Sequence, residues 1–238
     1  MQFNVFLPKE TEHGKVPAVY FLAGLTCTED NFAQKSGAFG PAAREGLVII
    51  CPDTSPRKVN IEGEDDDYDF GSGAGFYINA TTPKWSKHYK MYDYIVNELP
   101  SVVAELPIDP KRVSISGHSM SVSAFAPIAN PTNCPWGQKA FSGYLGEDNK
   151  EAWKEHDACE LLSSTVDKTA KLDVLVDVGT SDNFLEKQLL LPNLEKAFKE
   201  NGHDGQLKLR YQQGYDHSYY FISTFIDDHI RHHAKYLK

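Results

Sequence analysis

Ser119, Asp182 and His217 each stand just beyond a short apolar run, in an order that suits nucleophilic acyl transfer. Residues 113–116 (VSIS) lead into Gly117-His118-Ser119, and residues 172–178 (LDVLVDV) into Gly179-Thr180-Ser181-Asp182. Residues 207–211 (LKLRY) lead into Gln212-Gln213-Gly214-Tyr215-Asp216-His217. In open parallel sheets ligands sit beyond the carboxyl ends of strands, so residues at those ends can converge. In this chemistry His217 takes the proton of Ser119, while Asp182 fixes the imidazole tautomer and stabilises its cation. A developing oxyanion needs two backbone N–H groups. One comes from Met120, next to the nucleophile, and the other from the loop after an early strand, where Gly24 and Leu25 lie. Taken singly, the three residues have duller roles: a turn serine, a helix-capping aspartate, and one of nine histidines packed in a core. Their joint placement, in order, favours the chemical reading. His203, in an Asn-Gly-His-Asp-Gly loop, and His229, His232 and His233, far along the last helical segment, are weaker candidates, as is Asp177 inside an apolar run.

The elements that must position these residues follow from pattern. Runs at 18–23 (AVYFLA), 47–51 (LVIIC), 113–116, 122–126 (VSAFA), 172–178 and 207–211 read as strands. Most are too short for helices, rich in β-branched residues and closed by Gly, Pro or Asp. Between several of them lie helical patterns. Thr26 to Glu29 fits a capping box, residues 89–105 form a helical stretch broken at Pro100, and residues 183–201 end before Gly202. Ile222, Ile226, Ile230 and Ala234, four apart, predict a terminal helix over 218–237 packed on the sheet. Strand–helix alternation predicts an α/β fold, three layers about a mostly parallel sheet, as one domain over 1–238.

The chain has 238 residues, 41% hydrophobic and 24% charged, with a net charge of −9. That balance argues against a nucleic-acid backbone as partner. No apolar run is long enough to span a bilayer, and MQFNVFLPKE lacks the form of a signal peptide. Cys27, Cys51, Cys134 and Cys159 lie far apart with no CxxC pair, which suits free thiols in a reducing cytoplasm. The loop EGEDDDYDFGSGAGF at 62–76 superficially resembles a dinucleotide fingerprint, but the spacing is wrong, no strand precedes it and its carboxylates would repel a pyrophosphate. It also lacks the spaced glycine and terminal glutamate of an EF-hand, so it reads as a solvated acidic loop.

Together these stretches resemble the S-formylglutathione hydrolases, cytosolic serine thioesterases of the α/β-hydrolase superfamily acting in formaldehyde detoxification. The matching blocks are FLAGLTCTEDNF, CPDTSPR, IEGEDDDYDFGSGAGFY, ISGHSM, SAFAPIANPTNCPWGQKAFSGYLG, SDNFLE and GYDHSYYFISTFIDDHIRHHAKYL, spread over nearly the whole chain. Ser, Asp, His is that superfamily's chain order. The resemblance implies a triad of Ser119, Asp182 and His217, with Leu25 and Met120 as oxyanion donors. It implies attack on the formyl thioester, loss of glutathione thiolate, and hydrolysis of the formyl-enzyme to formate. No metal or organic cofactor is implied; a homodimer is. A triad alone does not fix the acceptor or acyl group, so a broader carboxylesterase is the neighbouring reading. Trp85, Trp136 and Trp153 are aromatic candidates for the glutathione arm, although core or loop packing is their ordinary use.

The chain departs from the family pattern in three places. It opens on a segment, MQFNVFLP, that the family has well inside its N-terminal region, so earlier edge strands are expected to be absent. Lys58 replaces a usual glycine, which disfavours a turn with positive φ there. Most consequentially, the family's GHSM continues into two glycines and a long helix, whereas here Met120 joins directly to Ser121. Parallel neighbours ordinarily need a crossover of a dozen or more residues. From Gly117 to Ser121 the extended chain reaches only about 14 Å, less than one strand length plus the sideways step. The expectation is a hydrolase-like sandwich lacking the nucleophile helix, with Ser119 in an irregular or rerouted segment. The alternative function is accordingly a shortened, catalytically impaired form.

Overall fold

The computed structural model describes residues 1–120 and 124–238. Its strands are β1 (Phe3–Phe6), β2 (Val16–Leu22), β3 (Val48–Pro52), β4 (Ile108–His118), β5 (Ala124–Phe125), β6 (Val174–Gly179) and β7 (Leu207–Gln212). They form one sheet in the order β1-β3-β2-β4-β5-β6-β7. Only β1, paired with β3, is antiparallel among the described pairings. Each of the six runs read as strands lies in this sheet, except that residues 121–123 of the run 122–126 fall outside the described residues.

The helices are α1 (Glu29–Lys35), α2 (Phe39–Glu45), α3 (Met91–Asp93), α4 (Leu99–Val102), α5 (Pro135–Leu145), α6 (Lys150–Lys154), α7 (Ala158–Ser164), α8 (Leu191–Glu200) and α9 (Tyr219–Leu237). As expected from its spacing, α9 buries Ile222, Ile226, Ile230 and Ala234. Every residue of β2 is buried, as a central parallel strand covered on both faces requires. No helix among the described residues is long and apolar enough to cross a membrane.

Several local expectations are corrected. The N-cap of α1 is Thr28, in a capping box with Asn31, not Thr26 with Glu29. Thr26 has a φ of 66°, outside the extended region an N-cap needs. Helical structure runs through Pro100 because a π-type turn over Tyr94–Glu98 widens the backbone ahead of the ring, which enters α4 at its first turn. The segment 183–201 splits instead at Leu190, which takes a left-handed φ of 50° before Pro192 starts α8. Lys58 takes the positive φ it was expected to resist, at 55°. In the acidic loop Asp65, Asp66 and Asp67 are exposed, but Glu64 is buried and accepts the Asn60 N–H at 2.8 Å.

The short link after β4 is accommodated by shortening β5. The two residues of β5 pair only with the last two of β4, Gly117 with Ala124 and His118 with Phe125. The chain therefore returns beside the end of β4 and never travels back along it, which removes the demand for reach that a five-residue strand would impose.

Candidate active site

Ser119 lies at the carboxyl end of β4 in the left-handed region, with a φ of 61°. For a non-glycine residue that conformation is strained and must be held by its surroundings. Here β5 and the segment after it hold it. The Ser119 N–H donates to the Phe125 carbonyl at 3.1 Å, and the Ser119 carbonyl accepts from the Ile128 N–H at 2.7 Å. Gly24 presses from the other side: a Cβ placed there would stand 2.8 Å from the Ser119 Cβ and 3.2 Å from the His118 carbonyl. Ser119 and Met120 form a bend, and no helix starts at Met120.

The loops after β6 and β7 are locked together. A Cβ on Gly179 would sit 2.0 Å from the Tyr215 carbonyl, so only glycine permits this crossing. Across it Ser181 N–H donates to Tyr215 at 2.9 Å and Thr180 N–H to Gln212 at 3.0 Å. The contact brings Asp182 and His217 together, with 2.6 Å between Asp182 Oδ2 and His217 Nδ1. The other oxygen of Asp182 accepts the Phe184 N–H at 2.8 Å, so the loop-capping role and the histidine contact are filled at once. Asp182 is buried and His217 remains partly open.

Ser119 and His217 line one small cavity of about 260 Å³ with Leu25, Thr26, His118, Tyr68, Trp136 and Phe184. Among the described residues, neither the Leu25 nor the Met120 N–H donates a hydrogen bond, and none joins Ser119 to His217. The Met120 side chain turns away to a separate apolar cavity. Of the tryptophans, only Trp136 reaches the site, where it packs on Phe184 at 4.5 Å between ring centres. Trp85 and Trp153 are buried among other aromatic rings.

Three lining residues were not legible as site residues. Tyr68 comes from the acidic loop, its hydroxyl 3.4 Å from Trp136 Nε1, while Lys139 ties the same loop to α5 through Asp67 and Asp69. Phe184 packs edge-on against His217 at 5.0 Å. His118 is buried with neither ring nitrogen hydrogen-bonded, its ring 4.4 Å from that of His217. Burial, then the nearby His217 charge, hold its pKa well below the ordinary histidine value, so it is a neutral neighbour. Tyr68 and Phe184 fall in the quoted blocks IEGEDDDYDFGSGAGFY and SDNFLE, but nothing in their types marks them.

The weaker candidates lie elsewhere. Asp177 is buried beneath α9, where it accepts from Arg210, Gln212 and His229. Burial pushes its pKa up, but those three hydrogen bonds outweigh burial and hold it below the usual carboxylate range. His203 is fully buried, not exposed as its loop suggested.

Comparison with known proteins agrees with this arrangement. The family model described as "Putative esterase" matches residues 1–121 and 121–232, in two segments meeting at residue 121. The S-formylglutathione hydrolase of Rattus norvegicus is 52% identical over 256 residues, covering all of this chain and 89% of that protein. The Arabidopsis thaliana S-formylglutathione hydrolase is 50% identical over 258 residues, with the same coverage. The solved S-formylglutathione hydrolase of Agrobacterium tumefaciens superposes with a TM-score of 0.93 at 40% identity, covering 99% of this chain and 90% of that one. A fluorophosphonate-binding serine hydrolase of Staphylococcus aureus, at 17% identity and a TM-score of 0.71, shares the fold. With identity at this level over its full length, and the α/β-hydrolase architecture in place, the chain belongs to the S-formylglutathione hydrolase family of esterases.

Proposed function

We propose that the chain is a serine thioesterase hydrolysing S-formylglutathione to glutathione and formate. The observation that carries the reading is the 2.6 Å contact of Asp182 with His217 in a loop pair that opens on the same cavity as Ser119. In this reading Ser119 Oγ attacks the formyl carbon and its proton passes to His217 Nε2, while Asp182 fixes the tautomer and stabilises the imidazolium. The oxyanion takes the two N–H groups left without acceptors, those of Leu25 and Met120. Collapse expels the glutathione thiolate. Water, deprotonated by His217, then attacks the formyl-enzyme to release formate and restore Ser119. Every step uses side chains and backbone of this chain, with no metal or organic cofactor required. A cavity of about 260 Å³ suits a one-carbon acyl group better than a bulky one. Tyr68, Trp136 and Phe184 form its mouth, where the glutathione arm would pass. A single domain, a cytoplasmic location and a homodimer complete the reading.

A second reading, that the chain carries the site but turns over poorly, is favoured by the five residues between β4 and β5 and by the missing Ser119–His217 hydrogen bond. One experiment addresses both. A fluorophosphonate should label the protein at Ser119 and leave Ser119→Ala unlabelled, with S-formylglutathione turned over far faster than acetyl esters. Labelling without turnover would establish the impaired form, and no labelling would overturn the site. Faster turnover of acetyl esters would favour the broad carboxylesterase.

A further inference from the structure

The face of β4 turned away from α9 is bare. Side chains alternate along the strand: Ser114 meets His233 of α9 at 3.0 Å, while Val113 and Ile115 on the opposite face are 44% and 45% exposed. A central strand of a parallel sheet ordinarily has both faces covered by crossover helices. Two apolar cavities of about 410 and 470 Å³ adjoin along this strand and share Ile95, Val96 and Ile115. They form one trough, walled on one side by the helical run 91–105 and, towards Met120, on the other by Phe141 and Leu161.

The trough coincides with an interruption in the sequence. The link between the parallel neighbours β4 and β5 has five residues where a crossover needs a dozen or more. The family match breaks at residue 121, and 256 aligned positions against 238 residues leave 18 positions of the rat protein without a counterpart. As a helix, 18 residues would be about 27 Å long. The trough follows β4 from Pro110 to Met120, about 30 Å at strand rise. A groove walled by helices admits a single helix and excludes the broad face of a second sheet.

We propose that this trough is a docking site for one amphipathic α-helix supplied in trans, with an apolar stripe that covers Val113, Ile115 and Val96. The proposal concerns binding alone and stands whether or not the chain turns over a thioester.

The test uses the full chain and a fluorescently labelled synthetic peptide. The peptide carries the residues that the rat protein has between its counterparts of Met120 and Ser121. Fluorescence anisotropy should show saturable binding that a scrambled peptide lacks. Ile115→Asp and Val96→Asp, on the floor and wall of the trough, should each weaken binding by about tenfold or more. Both residues are exposed, so unfolding midpoints near wild type are expected and separate lost binding from lost fold. Absent saturation, equal binding of the scrambled peptide, or binding unchanged in both well-folded variants would overturn the proposal. Sedimentation showing a dimer dissolved by Ile115→Asp, without peptide binding, would assign the face to a second copy and overturn it equally.

Discussion

Replacing His233 by glutamine should flatten the acid limb of the stability profile. His233 is buried in α9 with its Nδ1 3.0 Å from Ser114 Oγ, and burial, then the charges of His229 and His232, push its pKa down to about 3. In the unfolded chain a histidine titrates near 6.5. The folded value is thus depressed, so below pH 6.5 the unfolded state binds the proton more readily and stability falls as pH falls. Stability is full above that value, and the loss continues until the folded group itself protonates near 3. At pH 5 the difference in proton affinity corresponds to about 2 kcal/mol at this one site. His118 and His229, both depressed chiefly by burial, act in the same direction, so the wild-type decline should exceed that figure. Urea unfolding followed by tryptophan fluorescence at pH 7.5 and pH 5 measures it. The decline in His233→Gln should be smaller than in wild type by about 2 kcal/mol, whatever the variant loses at pH 7.5. Parallel profiles for the two proteins would refute the reasoning, since they would mean His233 titrates alike in both states.

Two further outcomes follow from backbone geometry. Gly24→Ala places a methyl 2.8 Å from the Ser119 Cβ, about 1 Å inside ordinary carbon contact, so the serine must move; fluorophosphonate labelling should slow by about 10²-fold, and an unchanged rate would show that this contact does not set Ser119. Lys58→Gly relieves a left-handed lysine that costs about 1–2 kcal/mol, partly offset by the flexibility of glycine when unfolded; the melting temperature should rise by a net effect of up to about 1 kcal/mol, and a fall would count against strain at this position.

The strands and the terminal helix were legible because each rests on a local periodicity that burial then rewards. Ile222, Ile226, Ile230 and Ala234 illustrate it: four-residue spacing alone determines which face of α9 is buried. Placement of Ser119, Asp182 and His217 at strand ends was legible for the same reason. What was not legible depends on contacts distant in sequence. Tyr68 reaches the cavity only because Lys139 anchors its loop to α5. His118 is a site residue because the Gly179–Tyr215 crossing carries His217 to its side. The capping signal misread at Thr26 failed because its N–H is drawn to Gly73, across the acidic loop, which fixes a backbone that cannot cap.

The structure separates two tasks that a helix after the nucleophile would perform together. One is to hold the serine in a left-handed turn; the other is to cover the central strand. Here the first task is met without a helix, because the amide and carbonyl of Ser119 are both engaged by the segment from Phe125 to Ile128. That segment is itself fixed to β6 through the Ala126 N–H, which donates to the Asp177 carbonyl at 2.7 Å. The second task is left undone, as the exposure of Val113 and Ile115 records. Hence changes beneath Ser119, at Gly24 or along residues 125–128, should act on the serine, whereas changes at Ile115 should act on what the trough can bind. A substitution at Ile115 that abolished fluorophosphonate labelling while leaving the unfolding midpoint intact would show that the two tasks are coupled after all.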